Sequence, residues 1–138
     1  MVKSMSNEQR RVGDWMTSQP HTIGDDQTLA EARERMHQWN VRHLPVLHGG
    51  HLVGVVSDRD IALVESVPGV DFAAVKVEEA MTEDPWTVHA DAPLAKVAAT
   101  MAERRIGTAI IVAAQDEDHV VGVFTTTDAL RALATLVG

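Results

Sequence analysis

The sequence has no cysteine and no tyrosine, and only 4% of its 138 residues are aromatic. The lack of cysteine excludes disulfide bonds, thiolate nucleophiles, iron–sulfur clusters and cysteine-ligated zinc. Because aromatic side chains are scarce, alanine, valine, leucine and isoleucine must fill the core. The hydrophobic fraction of 45% suits a globular fold and argues against wholesale disorder.

Basic residues are also in short supply. Lys and Arg number 12 against 20 Asp and Glu, which gives a formal net charge of −8. A field of this sign repels polyanions, so nucleic acid is not expected as a partner. No apolar run is long enough to span a membrane, and residues 1–11 lack the apolar core of a signal peptide. The sequence therefore predicts a cytoplasmic protein with no membrane partner.

An internal repeat is the most specific feature of the chain. Residues 12–46 share nine identities with residues 77–111, and residues 51–60 share five of ten with residues 119–128. Two copies with a period of this length indicate a pair of similar lobes rather than a solenoid. The predicted organisation is a polar tail (1–11), repeat one (12–66), a linker (67–76) and repeat two (77–138).

Each repeat has the predicted order strand, helix, strand, strand, helix, which indicates a mixed α+β fold. Amphipathic helices are predicted from the apolar stripes that contain Leu29 and Leu94, with Thr28 and Asp91 as their N-caps. A three-stranded repeat of about 55 residues is only marginally stable alone, so the two copies are expected to pack sheet to sheet with pseudo-twofold symmetry. The last helix is expected to bury a stripe formed by Leu130, Leu133 and Val137.

Each repeat ends its last strand with the pattern Gly-x-x-[Ser/Thr]-x-x-Asp, and the acid leads into a helix. The two copies are Gly54-x-x-Ser57-x-x-Asp60 and Gly122-x-x-Thr125-x-x-Asp128. One interpretation is purely structural. The hydroxyl residue caps the helix, and the acid bonds back to the backbone amide of the cap, as in a capping box.

A second interpretation uses the same geometry to hold a nucleoside phosphate. A glycine at the strand end would let a ligand approach the backbone. The helix N-terminus and the hydroxyl offer donors to a phosphate, and the ionised Asp accepts from both hydroxyls of a ribose. Neighbouring apolar strand residues would sandwich a purine. The glycine recurs in both copies although a helix cap does not need it, and this favours the binding interpretation.

These linked and duplicated motifs resemble the cystathionine β-synthase (CBS) domain pair, over about residues 12–137. The matching pieces are Met16-Thr17…Pro20-x-Thr22, Leu29-Ala30, Arg42-His43-Leu44-Pro45-Val46 and the first glycine motif, then Met81-Thr82…Pro85-x-Thr87 and the second glycine motif. The resemblance implies a regulatory module with two clefts that bind AMP, ADP, ATP or S-adenosylmethionine. It also implies a homodimer in which four CBS units form a disc, with interface residues supplied by helices 29–39 and 130–137.

The family pattern also implies which residues contact the ligand. Asp60 and Asp128 would bind ribose, and Ser57 and Thr125 would lie near phosphate. The remaining cleft residues are those that contact the base (Thr22, Ile23, Thr87 and Val88) and those that begin the next strand (His43, Leu44, Pro45, Thr108, Ala109 and Ile110).

The two copies differ in charge around this predicted site. Repeat one has Arg42 and Arg59, which suit a phosphate, where repeat two has Gly107 and Thr127. Repeat one is therefore better equipped for a charged nucleotide. Thr127 is included in the predicted site of repeat two. That site would hold a neutral adenosine moiety or stay empty.

No catalytic motif accompanies these features, so the chain is not expected to be an enzyme or to require a cofactor. The His48-Gly49-Gly50-His51 segment is interpreted as a hairpin turn rather than a metal site, because two imidazoles do not close a zinc site. A dimeric interaction adaptor with empty clefts is the competing hypothesis, ahead of a small hydrolase or metal-dependent enzyme. With no catalytic or transport domain beside the repeats, any regulated protein is expected to be a separate chain.

Overall fold

The computed structural model describes residues 9–19 and 21–138 of the chain, so most of the predicted polar tail and Pro20 of the first motif lie outside the described residues. The chain divides into two units, which we name after the acid of their motifs. The Asp60 unit is His21–Pro85, and the Asp128 unit combines residues 9–19 with Trp86–Gly138. Each unit therefore contains most of one repeat and a short opening segment of the other.

Within the described residues the chain forms four α-helices and eight strands, which confirms the mixed α+β class. The predicted order strand, helix, strand, strand, helix holds in both repeats, and a further two-residue strand precedes each one. In chain order the elements are β1 (Thr17–Ser18), β2 (Ile23–Gly24), α1 (Leu29–Trp39), β3 (His43–His48), β4 (His51–Ser57), α2 (Asp58–Glu65), β5 (Thr82–Glu83), β6 (Thr87–His89), α3 (Leu94–Arg104), β7 (Thr108–Ala113), β8 (Asp116–Thr125) and α4 (Thr126–Val137). None of the helices in the described part of the chain has the length and apolarity that a membrane span requires.

The sheet of the Asp60 unit has the strand order β2-β3-β4-β5. Strand β2 runs parallel to β3, with Ile23 opposite Val46. Strands β3 and β4 form an antiparallel hairpin, and β5 adds antiparallel to β4 with Thr82 opposite Val55. The edge strand β5 comes from repeat two, so the sheet is completed by the other copy.

The sheet of the Asp128 unit has the same arrangement, in the order β1-β8-β7-β6. Strand β6 runs parallel to β7, and β7 pairs antiparallel with β8. The edge strand β1 pairs antiparallel with β8, with Thr17 opposite Val123. Here the edge strand comes from repeat one. The repeats have thus exchanged their first strands, and each unit is built from both copies.

Helices α1 and α3 cover one face of their own sheets with the predicted apolar stripe. Leu29, Ala32 and Met36 of α1 lie in the core of the Asp60 unit, and each is at most 4% exposed. Thr28 caps α1 as predicted, because its hydroxyl accepts from the backbone N–H of Glu31 at 3.2 Å. The predicted Asp91 cap is wrong. Helix α3 begins at Leu94, and the residue in the N-cap position is Pro93, whose fixed φ suits a helix start.

The buried stripe predicted for α4 is also wrong. Leu130, Leu133 and Val137 are 61%, 56% and 76% exposed. The helix buries Asp128 and Ala132 instead, which are one turn apart on the opposite face. The small Ala132 lets α4 lie close to Phe124 and the rest of the core, and the bonds made by Asp128 fix its rotation. The leucines consequently form an apolar surface.

Candidate functional site

The glycine motif of the Asp60 unit joins β4 to α2 through a capping box. The hydroxyl of Ser57 accepts from the backbone N–H of Asp60 at 3.1 Å, and the Asp60 carboxylate accepts from the backbone N–H of Ser57 at 2.9 Å. Both partners are partly exposed. The structural interpretation of the motif is therefore confirmed in this unit, with one oxygen of Asp60 engaged in the cap.

The motif of the Asp128 unit forms the same capping box between β8 and α4. The Thr125 backbone N–H donates to Asp128 Oδ2 at 2.9 Å, and Thr125 Oγ1 accepts from the Asp128 N–H at 3.3 Å. Here the carboxylate has further donors: the hydroxyl of Thr125 at 3.2 Å, the hydroxyl of Thr17 at 2.9 Å and the guanidinium of Arg131 at 3.3 Å. Asp128 is only 4% exposed. The two acids share a backbone position but differ in surroundings.

Two of these partners were missed by the sequence analysis. Arg131 follows Asp128 by three residues on one helix, a spacing that by itself signals a side-chain pair. Thr17 lies 111 residues away and reaches Asp128 only because β1 of repeat one pairs with β8 of repeat two. No local pattern in the sequence predicts that contact.

Strand register brings some of the polar residues of each predicted site together and separates others. His43 begins β3 directly opposite Ser57, where β4 ends. Strand β2 pairs only with the second half of β3, with Ile23 opposite Val46, and Thr22 lines a cavity with the His48-Gly49-Gly50 turn at the other end of this hairpin. In the Asp128 unit Thr108 lies opposite Thr125, and Thr87 lies opposite Ile110, two residues further along β7. Each motif acid lies in the first turn of the helix that follows β4 or β8.

Four of the predicted ligand contacts have their side chains in the hydrophobic cores. They are Ile23, Leu44, Val88 and Ala109, each at most 9% exposed. Successive strand residues point to opposite faces, and these four point toward the helices. They are left with only backbone atoms to offer a ligand. Pro45 and Ile110 alternate with core residues and lie on the other face of their sheets, where both are buried.

Three predicted contacts are exposed side chains near the helix starts. Arg59 and Thr127 occupy the second positions of α2 and α4. Arg42 precedes β3 and lines a cavity of about 340 Å³ between the end of α1 and the start of α2, together with Asn40 and Asp58. Arg42 thus lies beside the start of α2, where its carbonyl oxygen accepts from the Asp58 backbone N–H at 2.9 Å.

The two motif glycines have a packing role that differs from the predicted one. A Cβ atom on Gly54 would lie 2.6 Å from Sδ of Met81 and 2.8 Å from the carbonyl oxygen of Thr82. A Cβ on Gly122 would lie 2.5 Å from the carbonyl oxygen of Thr17 and 2.7 Å from Sδ of Met16. The absence of a side chain at each glycine therefore leaves room for the exchanged strand and for the methionine that precedes it. The expectation that the glycines open the backbone to a ligand is wrong, because that space is already filled.

The histidine-rich turn has a simple geometry. Gly49 and Gly50, both with positive φ, form the turn between β3 and β4, and Nδ1 of His48 lies 2.8 Å from Oδ2 of Asp25. In residues 9–19 and 21–138 no three His, Asp or Glu side chains are grouped as a metal site would require.

Comparison with known proteins adds the family context. A family model described as the CBS domain matches residues 12–66 and again residues 77–135. The CBS domain-containing protein YhcV of Bacillus subtilis is 35% identical over 112 residues, which cover 81% of this chain and 77% of YhcV.

Two solved structures of similar fold contain ligands. The CBS domain pair of protein MJ0100, in complex with 5′-methylthioadenosine and S-adenosyl-L-methionine, is 29% identical with a TM-score of 0.78, and the match covers 92% of this chain and 98% of that one. CBSX2 in complex with AMP is 26% identical with a TM-score of 0.74, and the match covers 91% and 97% of the two chains. The ligands of both proteins contain adenosine.

Proposed function

Because the chain belongs to the CBS domain family and carries two copies of the domain, we propose that it is a regulatory module whose ligand contains adenosine. The observation that carries this proposal is the carboxylate of Asp60. It sits at a helix start beside the Ser57 hydroxyl, and only one of its oxygens is engaged by the cap. The adenosine ligands of MJ0100 and CBSX2 support the same ligand class.

The Asp60 unit offers a group for each part of such a ligand. The second oxygen of Asp60 accepts from a ribose hydroxyl, as a carboxylate with unused lone pairs does. The exposed guanidinium of Arg59, in the first turn of α2, attracts a phosphate. Backbone atoms of Thr22 and the side chain of His43 belong to the segments proposed to hold the base, and His43 is directly opposite Ser57. None of these roles involves a chemical reaction, and the proposed output is regulation of a separate protein in the cytoplasm.

Asp60→Asn is expected to weaken binding of AMP by about 10- to 150-fold, the value of about 1.5–3 kcal/mol for hydrogen bonds to a charged acceptor. Wild-type affinity is expected near 10 μM, from about 0.3 kcal/mol for each of about two dozen heavy atoms. The amide oxygen of Asn still accepts from the Ser57 N–H, so the cap survives. Isothermal titration calorimetry with AMP, ADP, ATP and S-adenosylmethionine measures the effect.

Asp58→Asn is the matched control, since Asp58 is an exposed acid two residues earlier in the same helix. It removes the same charge but none of the proposed ribose contacts. Because Asp58 lies beside Arg42, loss of its negative charge should leave the affinity for AMP equal to that of wild type or up to about threefold tighter, and not weaker. Equal affinities of Asp60→Asn and wild type would remove Asp60 from the site.

A dimeric interaction adaptor is the second candidate function, and the exposed leucines of α4 favour it. The two candidates differ in thermal stability with ligand. An adenosine ligand at 100 times its dissociation constant should stabilise a binding module by about 2.7 kcal/mol, whereas an adaptor with no ligand site would show no shift with any of them.

We also propose that the chain is a homodimer through the surface formed by α3 and α4. Leu133 and Leu136 of α4 line a groove of about 150 Å³, together with Ala95 and Ala98 of α3. Projecting leucines beside an alanine-lined groove make this surface self-complementary, as a twofold interface requires. The one exposed charge on α4 is Arg131, and Arg10 also lines the groove, so the proposed interface has an apolar centre with basic residues beside it. The proposed partner is a second copy of this chain.

Helix α1 does not offer a similar surface. Its apolar residues Leu29, Ala32 and Met36 are in the core of the Asp60 unit, and none of the large apolar side chains that are exposed in the described residues belongs to α1. The proposed interface therefore replaces the α1 contribution expected from the sequence with α3.

Leu133→Glu is expected to convert the dimer to a monomer at micromolar concentration, because two carboxylates would be desolvated in a twofold interface. Light scattering with size-exclusion chromatography measures the mass. Thr135→Glu adds the same charge to an exposed position of α4 away from the groove and is expected to remain dimeric. A wild-type mass of one chain would refute the dimer, and an unchanged mass for Leu133→Glu would refute this interface.

A further inference from the structure

The carboxylate of Asp128 has no acceptor position left for a ligand. An ionised carboxylate offers about four lone-pair sites on its two oxygens. Oδ2 accepts from the backbone N–H and the hydroxyl of Thr125, and Oδ1 accepts from the Thr17 hydroxyl and the Arg131 guanidinium, all within 3.3 Å. The residue is 4% exposed. A ribose at this acid would have to displace an existing donor for every hydrogen bond that it formed.

The carboxylate of Asp60, in contrast, has acceptor positions that are still open. The backbone N–H of Ser57 donates to Oδ2, and no other described residue donates to the carboxylate. The residue that corresponds to Arg131 in the Asp60 unit is Leu63, which has no side-chain donor. The residue that corresponds to Thr17 is Thr82, and within the described residues its hydroxyl has no bond to Asp60. About three lone-pair sites of Asp60 are therefore open.

From this difference we infer that one chain binds one adenosine-type ligand, at Asp60, and that Asp128 is a structural residue. The inference rests on the proposed function and adds its stoichiometry. In the Asp128 unit the acid joins three pieces of chain: the exchanged strand β1 through Thr17, the helix cap through Thr125, and the second turn of α4 through Arg131. Because Thr17 and Arg131 donate to Oδ1, Asp128 stabilises the fold of its unit and does not bind a ligand.

Calorimetric titration of the wild-type chain with AMP tests the stoichiometry directly. One site per chain is expected, with binding lost or weakened at least 10-fold in Asp60→Asn. Asp128→Asn should bind AMP with the same stoichiometry and with affinity within about threefold of wild type, provided that circular dichroism shows it folded. Two sites in wild type, or one full-affinity site left in Asp60→Asn, would overturn the inference while the proposed function stands.

Chemical-shift mapping of the wild-type chain keeps the test independent of whether Asp128→Asn folds. On titration with AMP the backbone amides of Ser57 and Asp60 should shift saturably, and those of Thr125 and Asp128 should not. Shifts of equal size at both motifs would contradict single occupancy. If AMP, ADP, ATP, S-adenosylmethionine and 5′-methylthioadenosine all fail to bind wild type, the proposed function itself fails, and single occupancy fails with it.

Discussion

Gly122→Ala is expected to lower the free energy of unfolding by about 3 kcal/mol, at the top of the usual range for overpacking. The added Cβ would lie 2.5 Å from the carbonyl oxygen of Thr17, a distance that real Cβ contacts do not reach. Thr17 belongs to β1, which is paired with β8 at this point, so relief of the clash requires movement of the strand itself. The loss should be measured by urea unfolding followed by circular dichroism.

Gly107→Ala is the control for this substitution. The nearest heavy atom to its added Cβ is 4.0 Å away, and its φ is not in the left-handed region. The change should leave stability unaltered or raise it by up to about 1 kcal/mol, because alanine restricts the unfolded chain. If Gly122→Ala were as stable as Gly107→Ala, β1 would not lie against β8 as closely as the structure shows.

Phe124→Ala is expected to cost about 3–5 kcal/mol, the largest loss of stability that we predict for this chain. Phe124 is 0% exposed and is the largest fully buried side chain among the described residues. It lies in the core of the Asp128 unit with Leu94, Val97 and Ala132, so truncation leaves a cavity that these residues are too small to close. Urea unfolding, with the slope compared to wild type, measures the loss.

Val56 occupies the corresponding position in the Asp60 unit and is also 0% exposed. Val56→Ala removes two methyl groups, for which about 0.8 kcal/mol each plus a small cavity term gives about 2 kcal/mol. Comparing the two losses in free energy of unfolding tests whether the cost of truncation at this position rises with the volume removed in both repeats. A smaller loss for Phe124→Ala than for Val56→Ala would show that the Asp128 core collapses around the deletion.

Local chemistry makes much of this fold predictable. The capping boxes at Ser57 and Thr125 follow from a spacing of three residues between hydroxyl and acid, and both form. The cap at Thr28 and the stripe of α1 follow from the same short-range rules. These features depend on neighbours within one or two turns of chain, which the sequence displays directly.

The failures concern partners that are distant in sequence. A leucine stripe on a helix looks the same whether it faces a core or another protein, so the sequence does not reveal the exposure of Leu130 and Leu133. The role of Gly122 and the saturation of Asp128 both depend on β1, which arrives from the other end of the chain. The sequence predicts a difference between the two sites from Arg42 and Arg59 alone. The difference between the two acids appears only when the strands are paired.

The exchange of β1 and β5 has a consequence for how such a chain can change over generations. A recombination event that replaced one copy alone would bring a foreign edge strand against a resident glycine, and a resident edge strand against a foreign glycine. Both seams would then have to fit at once, whereas a tandem array of self-contained modules tolerates such shuffling. Drift in either half is thereby tied to the other, and the pair is inherited as a single unit of selection.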